Sequence, residues 1–239
     1  MTNVTPYNNL KSKKEQVTTM FNNIAENYDF LNHTLSLGMD TIWRKRAIKK
    51  LKNKPKTILD IATGTGDFAI SAAKYTKAQI NGIDISQAML DVGIKKIAKK
   101  KLDSRITLQK ADSENLPFNE NMFDAITAGF GVRNFENLDK GLSEMHRVLN
   151  PNGIILILEP STPKHFPLKQ LYQLYFHHLL PTIGSWISKD KSAYKYLPES
   201  VDSFPTEDKF IAKLEEAGFK ECKHFPLSWN IVSLYVAIK

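Results

Sequence analysis

The sequence predicts an α/β fold, in which a mostly parallel, doubly wound β-sheet is covered by helices. From about residue 53, short runs of β-branched residues alternate with helical patterns, as in folds whose parallel strands are joined by helices. Hydrophobic residues make up 42% and charged residues 24% of the 239 residues, which excludes a disordered or fibrous chain. The longest aliphatic run, residues 154–158, is far shorter than the roughly 20 residues that cross a bilayer.

The chain before the sheet is predicted to be helical. Residues 12–52 carry Met20, Phe21, Ile24 and Tyr28 at helical spacing, and we expect residues 1–52 to form a basic helical cap within the same domain. The Rossmann-like part is expected to span residues 53–239. Its first five strands are predicted at residues 57–60, 80–84, 106–108, 123–128 and 154–158.

A second apolar stripe marks a helical insertion at about residues 162–205. Its apolar side chains are Leu168, Leu171, Tyr172, Tyr175 and Leu179. We expect this segment and the N-terminal helices to cover the open edge of the sheet. The tail, residues 225–238, is strand-rich and follows a helix that ends near Gly218, so it is predicted to close the sheet as an antiparallel pair.

The net charge of +8 is concentrated at the N-terminus, where residues 1–54 hold ten Lys/Arg against four acids. Such a segment can meet nucleic acid, an anionic membrane surface or an acidic substrate, and a solvated helical face explains it equally well. The single Cys222 and the absence of a signal-peptide pattern favour a reduced, cytoplasmic protein. We expect no metal, because His177 and His178 diverge on a predicted helix with no carboxylate at ligand spacing.

The sharpest motif is a strand that runs into a glycine-containing turn before a helix, at residues 57–67. Gly64 and Gly66 leave room for a ligand to approach the backbone, and the helix beyond offers free N–H groups. Asp84 ends the next strand, where a carboxylate can accept both hydroxyls of a ribose. Read literally, this spacing also satisfies the dinucleotide fingerprint, so the motif alone leaves NAD open.

Other residues favour S-adenosylmethionine over NAD. Asp60 and Asp67 flank the turn, where they would repel a pyrophosphate but suit a ligand with an ammonium and a sulfonium. After the third strand, Asp112 can accept an adenine amino hydrogen, and the Ser113 N–H can reach a ring nitrogen. A helix at 138–149 and a turn that leads into the fifth strand complete a layout that resembles class I S-adenosylmethionine-dependent methyltransferases.

A more specific resemblance covers residues 18–239. The segments that carry it are residues 21–32, 36–38, 43–45, 129–134, 147–153, 159–161 and 193–200. They resemble the ubiquinone/menaquinone biosynthesis C-methyltransferase family. The resemblance implies a seven-stranded sheet, S-adenosylmethionine as methyl donor and a polyprenylated hydroquinone as acceptor.

The chain departs from the family pattern at four positions. Asp40 replaces a usual His, Gly129 replaces a serine near the donor, and Asn150 and Asn152 replace Lys and Gly. The Gly129 change removes a hydroxyl that could bond the donor, and Asp40 argues against a catalytic His at its own position. The predicted donor-binding residues are Asp60, Gly64, Thr65, Gly66, Asp67, Asp84, Asp112, Ser113 and Gly129.

The chemistry of the acceptor points to three catalytic candidates. An aromatic carbon attacks a methyl sulfonium only when its ring is electron-rich, as in a hydroquinone and above all in its phenolate. A phenol has a pKa of about 10, so the enzyme gains by stabilising the anion and accepting its proton. Arg133 is predicted to stabilise the phenolate, Asn134 to orient the hydroxyl and Tyr28 to relay a proton.

Other functions remain possible from the residues alone. A nucleic-acid methyltransferase suits the charge, but Cys222 lies in the tail and no Asn/Asp-Pro-Pro-aromatic loop follows strand four. For an NAD oxidoreductase, the Tyr-x-x-x-Lys pair of Tyr7 and Lys11 lies ahead of the fold, and a non-catalytic binding protein is a third reading. Naphthoquinol and benzoquinol acceptors are not distinguished; we favour demethylmenaquinol, and we expect no nucleic-acid partner.

A polyprenyl acceptor predicts transient contact with the inner face of the cytoplasmic membrane. The basic residues expected to attract anionic headgroups are Arg44, Lys45, Arg46, Lys49 and Lys50. The expected apolar entrance comprises Phe166, Leu168, Tyr172, Tyr175, Phe176, Leu179, Leu180 and Trp186. The working expectation for the oligomeric state is a homodimer.

Overall fold

The computed structural model describes residues 4–7, 9–164, 166–174 and 191–239. Its strands form one seven-stranded sheet in the order β3-β2-β1-β4-β5-β7-β6. The strands are β1 (Thr57–Ile61), β2 (Gln79–Asp84), β3 (Ile106–Lys110), β4 (Phe123–Gly129), β5 (Leu149–Pro160), β6 (Lys220–Leu227) and β7 (Val232–Ile238). The first five are parallel, and β7 pairs antiparallel with both β5 and β6. The predicted mostly parallel sheet and its antiparallel tail are therefore confirmed.

The described helices lie before, between and after these strands. They are α1 (Lys13–Leu35), α2 (Met39–Ile48), α3 (Asp67–Tyr75), α4 (Gln87–Lys99), α5 (Leu138–Val148), α6 (Leu168–Leu174), α7 (Lys191–Ser203) and α8 (Glu207–Glu216). A short 3₁₀ turn at Val132–Asn134 follows β4. Ser12 caps α1 in a capping box with Glu15, so two otherwise unpaired backbone N–H groups are satisfied where this helix begins.

The sheet has an apolar core on each face, because successive residues of a strand point to opposite sides. In β5, Ile155 and Ile157 belong to a core with α5 and α8, whereas Leu156 and Leu158 belong to a core with α2 and α3. This strand begins earlier than predicted, at Leu149, which pairs with Phe123 across an irregularity in the ladder. The result is a doubly wound sheet in which the carboxyl ends of all the parallel strands lie on the same side.

The sequence analysis expected the N-terminal helices to cover the open edge of the sheet, but these helices do not pack on an edge strand. The edge strands are β3 and β6, whereas α2 packs on α3 and on β5 inside the sheet, and α1 packs on α4. In α6, Tyr172 is buried and Leu171 and Leu174 are exposed, so the predicted stripe faces inward only in part. Tyr175 and Leu179 lie outside the described residues. No helix in the described ranges is both long and apolar enough to cross a membrane.

Candidate active site

The turn after β1 has the backbone geometry that the glycines predict. Gly64 and Gly66 adopt φ angles of 56° and 82°, in the left-handed region that other residues avoid. The N–H of Gly64 donates to the Asp84 carboxylate at 2.8 Å, which ties the turn to the end of β2. The helix α3 begins directly after the turn, at Asp67.

A small cavity of about 70 Å³ lies at the carboxyl ends of β1, β2 and β4, under helix α1. The structure brings many of the predicted residues together there. Those that line it are Tyr28, Gly64, Asp84, Asp112, Ser113, Gly129 and Asn134. The cavity therefore has the two predicted carboxylates, Asp84 and Asp112, at neighbouring strand ends, and Glu114 and Glu136 line it as well.

The two predicted carboxylates of this small cavity, Asp84 and Asp112, have different partners. The oxygens of Asp84 accept the N–H groups of Gly64 and Ser86, each at 2.8 Å, and burial raises the pKa of this carboxyl. Asp112 accepts a hydrogen bond from Lys14 of α1 at 2.8 Å, and Lys14 also reaches Glu114 at 3.1 Å. Lys14 lines the cavity as well, and the sequence analysis missed its role because nothing local links it to a loop about a hundred residues away.

Asp60 lies behind this cavity and does not line it. It is fully buried and accepts hydrogen bonds from the hydroxyls of Thr63 and Thr127. Burial raises the pKa of Asp60 to about 6, because these neutral donors only partly replace the lost water. Asp60 therefore places a negative charge beneath the turn.

The side chains of Asp67 and Thr65, two of the predicted donor-binding residues, do not line the small cavity. The Asp67 carboxylate lies 2.7 Å from Lys96 and 3.7 Å from Arg44, so it faces cations of α4 and α2. The Thr65 hydroxyl donates to Asp29 of α1, outside the cavity lining. These contacts anchor α1, α2 and α4 around the turn.

A second, larger cavity of about 540 Å³ adjoins the small one. Phe21, Tyr28, Phe130 and Asn134 line both, so the two spaces meet at these four side chains. Most of its lining is apolar and comes from α1, α2, α7 and the β6–β7 hairpin; examples are Met20, Ile24, Leu31, Trp43, Leu197 and Trp229. The large cavity is therefore an apolar space that meets the small cavity at this junction.

Arg133 lies on the wall of the large cavity in a buried ion pair. Its Nη1 lies 2.9 Å from Glu159 Oε2, with side-chain exposures of 7% and 0%. The same nitrogen donates to the carbonyl of Phe130, and Nε donates to Ser200 Oγ at 3.3 Å. Burial raises the pKa of Glu159, although the positive charge of Arg133 acts to lower it. The contacts of Arg133 thus hold the loop after β4 in place. The sequence analysis did not predict Glu159 as its partner, although residues 159–161 are one of the segments that carry the family resemblance.

The other two catalytic candidates meet the junction directly. Asn134 is buried, and its Oδ1 accepts the Tyr196 hydroxyl at 3.0 Å; burial raises the pKa of Tyr196 to about 12. Burial also raises the pKa of Tyr28, despite its hydrogen bond with Asn32. Tyr28 therefore keeps its proton at neutral pH and can donate a hydrogen bond into the junction.

A charged cluster borders the large cavity where α1 meets α2. Asp40 is 3% exposed; its Oδ2 lies 2.6 Å from Arg44 Nη1 and 2.8 Å from His33 Nδ1, and its Oδ1 accepts the Ser36 hydroxyl at 3.0 Å. Although burial opposes ionisation, Arg44 and His33 keep the pKa of Asp40 below its usual value. His33, Asp40 and Asp67 have ligand-type atoms within 4.8 Å of one another, but the Arg44 cation already lies against both carboxylates. The cluster is an ion-pair network.

The residues of the small cavity fit a donor built from adenosine and a cationic methionine. A ribose matches the Asp84 carboxylate and an adenine edge matches Asp112 with the Ser113 N–H, while the buried charge of Asp60 suits a cation. Gly64 leaves the wall of this cavity without a side chain where the donor would approach the backbone.

Comparisons with known proteins agree with this assignment. A model of the ubiE/COQ5 methyltransferase family matches residues 9–239. The demethylmenaquinone methyltransferase of Bacteroides fragilis is 48% identical over 238 residues, which cover 99% of this chain and 97% of that protein. The ubiquinone/menaquinone biosynthesis C-methyltransferase UbiE of Geotalea daltonii is 46% identical over 233 residues, or 96% and 99% of the two chains.

A solved structure shares the fold. An S-adenosyl-L-methionine-dependent methyltransferase of Methanococcus maripaludis has a TM-score of 0.70 at 22% identity, with 98% of this chain and 96% of that chain covered. Fold and family together identify S-adenosylmethionine as the methyl donor. The chain belongs to the ubiE/COQ5 methyltransferase family and is an S-adenosylmethionine-dependent C-methyltransferase.

Proposed function

We propose that the protein methylates a ring carbon of a polyprenylated hydroquinone, and that demethylmenaquinol is converted to menaquinol. The observation that carries this proposal is the large apolar cavity that meets the donor cavity at Phe21, Tyr28, Phe130 and Asn134. An aromatic head at the junction would lie beside the donor, and its isoprenoid tail would occupy the apolar remainder. The Bacteroides fragilis relative is named a demethylmenaquinone methyltransferase, which supports the naphthoquinol over a benzoquinol.

S-adenosylmethionine, when bound, supplies an electrophilic methyl group. Asp84 would hold its ribose, and Asp112 with the Ser113 N–H would hold its adenine edge, once Lys14 gives up part of its contact with Asp112. Gly64 and Gly129 line the donor cavity without a side chain, whereas Gly66 does not line it and packs against Ile97 and Leu108. Asp60 would act through its charge, and Thr65 and Asp67 through the helices that they anchor. The donor site would therefore be held by residues from the ends of four strands, β1 to β4.

The residues at the junction would orient the acceptor and keep its oxygen electron-rich. Asn134 and Tyr28 are placed to hydrogen-bond a ring hydroxyl, and Tyr28 does so as a donor because its pKa is raised. Arg133 contributes a positive field that Glu159 partly cancels. Much of the rate would come from alignment of ring carbon, methyl and sulfur, which well-packed cavities supply.

Radiolabelled methyl transfer tests the function. Purified protein would receive labelled donor with reduced demethylmenaquinol, with a reduced demethylated benzoquinol, with RNA, or with buffer alone. Label in the naphthoquinol, above that in the benzoquinol, supports the proposal. Equal or greater label in the benzoquinol supports the ubiquinone-pathway alternative, and label in RNA alone overturns both.

We also propose peripheral contact with the inner face of the cytoplasmic membrane. The surface that would make this contact differs from the one predicted from the sequence. Lys45, Arg46 and Lys49 are exposed, but Arg44 is buried in its ion pairs and cannot meet headgroups. Leu37 and Trp229 line the large cavity and yet are 89% and 78% exposed, so they give its mouth an apolar rim.

The predicted apolar entrance is only partly described. Phe166 is exposed and Tyr172 is buried, while Tyr175, Phe176, Leu179, Leu180 and Trp186 lie outside the described residues. Sedimentation with liposomes should show weak binding that rises with anionic lipid and falls with salt. Binding that responds to neither would remove the electrostatic part. The homodimer stays a prediction, which sedimentation velocity would test.

A further inference from the structure

The side-chain amide of Asn134 has one end bound by the protein and one end open at the junction of the two cavities. Its Oδ1 accepts the hydroxyl of Tyr196 on α7 at 3.0 Å, and both side chains are buried. Its Nδ2 has no hydrogen-bond partner among the described residues, yet it is not sealed off from open space. Asn134 lines both cavities, so this NH₂ group is the end that a ligand at the junction can meet.

The hydroxyl of Tyr196 decides which end of the amide faces the junction. A buried hydroxyl needs an acceptor for its proton, and among the described residues the amide oxygen of Asn134 is that acceptor. If the amide were rotated, its NH₂ would face the hydroxyl, and the hydroxyl proton would have no acceptor. Burial raises the pKa of Tyr196 to about 12, so the hydroxyl keeps this proton at neutral pH.

The backbone on either side of Asn134 is held in place as well. The ammonium of Lys13 on α1 donates to the carbonyls of Arg133 and Phe135, at 3.3 and 2.9 Å. These two carbonyls flank Asn134 directly, so its main chain is fixed from a different element than its side chain. The orientation of the amide is the remaining freedom, and the bond with Tyr196 removes it.

We propose that Tyr196 is a positioning residue, which makes Asn134 a hydrogen-bond donor to the reacting oxygen of the acceptor. The hydroxyl of Tyr28, at the same junction, is the second donor. Hydrogen bonds to an anion are about twice as strong as those between neutral groups, so two donors favour the phenolate over the phenol. Tyr196 acts through Asn134 and has no need to touch the acceptor. This inference rests on the hydroquinone acceptor proposed above.

The first test is Tyr196→Phe in the full chain, with a water-soluble short-chain demethylnaphthoquinol and saturating donor. The variant keeps the buried ring and loses only the hydroxyl. We expect kcat to fall about tenfold, the lower end of the contribution of a hydrogen bond to a charged group. Donor affinity in calorimetry should be unchanged.

The pH profile of Tyr196→Phe separates this role from a structural one. Its activity should recover at alkaline pH, where the hydroquinone ionises unaided, whereas a packing defect would lower kcat equally at every pH and would overturn the inference. The charged groups that act on Tyr28 and Tyr196 are Arg133 after β4, Glu159 of β5, Arg44 of α2 and Asp84 of β2. All four are retained in the variant, so a changed profile reports on the amide.

A double-mutant cycle shows whether Tyr196 acts through Asn134. Asn134→Ala should lower kcat at least as far as Tyr196→Phe, and the double variant should be no slower than Asn134→Ala. Losses that multiply would mean that the two residues act independently, against the inference. The matched control is Tyr235→Phe, which removes a buried tyrosine hydroxyl on β7 outside both cavity linings and should keep its kcat and pH profile.

Asn134→Asp tests the orientation of the amide. An aspartate can still accept the Tyr196 hydroxyl, but it presents a negatively charged acceptor to the junction. At pH 8, well above the usual pKa of about 3.9, we expect it to be slower than Asn134→Ala. An Asn134→Asp variant as active as Asn134→Ala, or a Tyr196→Phe variant with wild-type kcat, would overturn the inference alone. A wild type that leaves the quinol unmethylated would overturn the proposed function itself, and this inference with it.

Discussion

Replacing Asp60 by asparagine should make the ligand-free protein more stable at neutral pH. The Asp60 carboxyl is fully buried beneath the Gly64 turn, and its hydrogen bonds come from the neutral hydroxyls of Thr63 and Thr127. An amide of the same shape can keep both hydroxyls as partners, with its Oδ1 accepting from one and its Nδ2 donating to the oxygen of the other, while Oδ1 also faces the backbone N–H of Ala69. It removes the charge that burial disfavours.

The size of this effect follows from the raised pKa of Asp60, which is about 6 instead of 3.8. Each unit corresponds to 1.36 kcal/mol, so ionising this carboxyl in the folded state costs about 3 kcal/mol. Because the folded pKa is above the unfolded one, the stability due to protonated Asp60 is present below about pH 4 and is lost as the pH rises through about 6. The advantage of Asp60→Asn should grow across that window and stay constant above it.

Urea unfolding of wild type and Asp60→Asn at pH 4.5, 6 and 8 measures this directly. The matched control is Asp103→Asn, which changes an exposed carboxylate and should leave the difference flat with pH. An Asp60→Asn variant that is less stable than wild type at pH 8, or whose advantage is the same at all three values, would refute the argument.

Three further predictions concern single side chains. Asp84→Asn should weaken donor binding by about 1.5–3 kcal/mol in calorimetry, because a charged acceptor of the ribose hydroxyls is lost. Unchanged affinity in a folded variant would mean that Asp84 does not bind the ribose. Glu159→Gln should lower the free energy of unfolding in urea by about 3 kcal/mol, since Arg133 stays buried without its counter-charge; wild-type stability would contradict it. Gly129→Ser should destabilise by about 1–3 kcal/mol, because a Cβ there would lie 2.9 Å from the buried Phe68 ring; an unaltered melting temperature would show that Phe68 yields freely.

The strands and the turn were predictable because their signals are local. A strand buried on both faces needs a run of β-branched residues, as in Thr57–Ile61, and a turn in the left-handed region selects glycine, as at Gly64. The position of Asp84 followed from the rule that parallel strands end at one edge. These parts of the site depend on short segments and their order.

The contacts between distant segments were not predictable in the same way. Lys14 meets a loop about a hundred residues later, and Ser200 and Glu159 fix Arg133 from two different elements. Nothing in the local pattern distinguishes such a lysine from its neighbours on a basic helix. Arg44 did carry a signal, since it follows Asp40 by four residues on one helix, the spacing at which opposite charges pair.

The four acids predicted to bind the donor, two of them for its cationic groups, divide into two kinds. Asp67 and Asp112 are ion-paired, the first with Lys96 and the second with Lys14, so their fields are largely cancelled. Asp60 and Asp84 have no Lys or Arg within ion-pair distance among the described residues, and burial raises the pKa of both. The attraction for a sulfonium and an ammonium must therefore come mainly from this second pair.

This division predicts that donor affinity rises with pH through the range in which Asp60 ionises in the free protein, near pH 6. A bound cation favours the ionised carboxyl, so at lower pH the donor must first displace a proton, whereas above that range it meets the charge already formed. Calorimetry between pH 5 and 8 should show tighter binding at the higher values, with proton release at the lower ones. Asp60→Asn should flatten the part of this dependence near pH 6. An affinity that stays constant across the range in wild type would mean that the buried charge does not act on the donor.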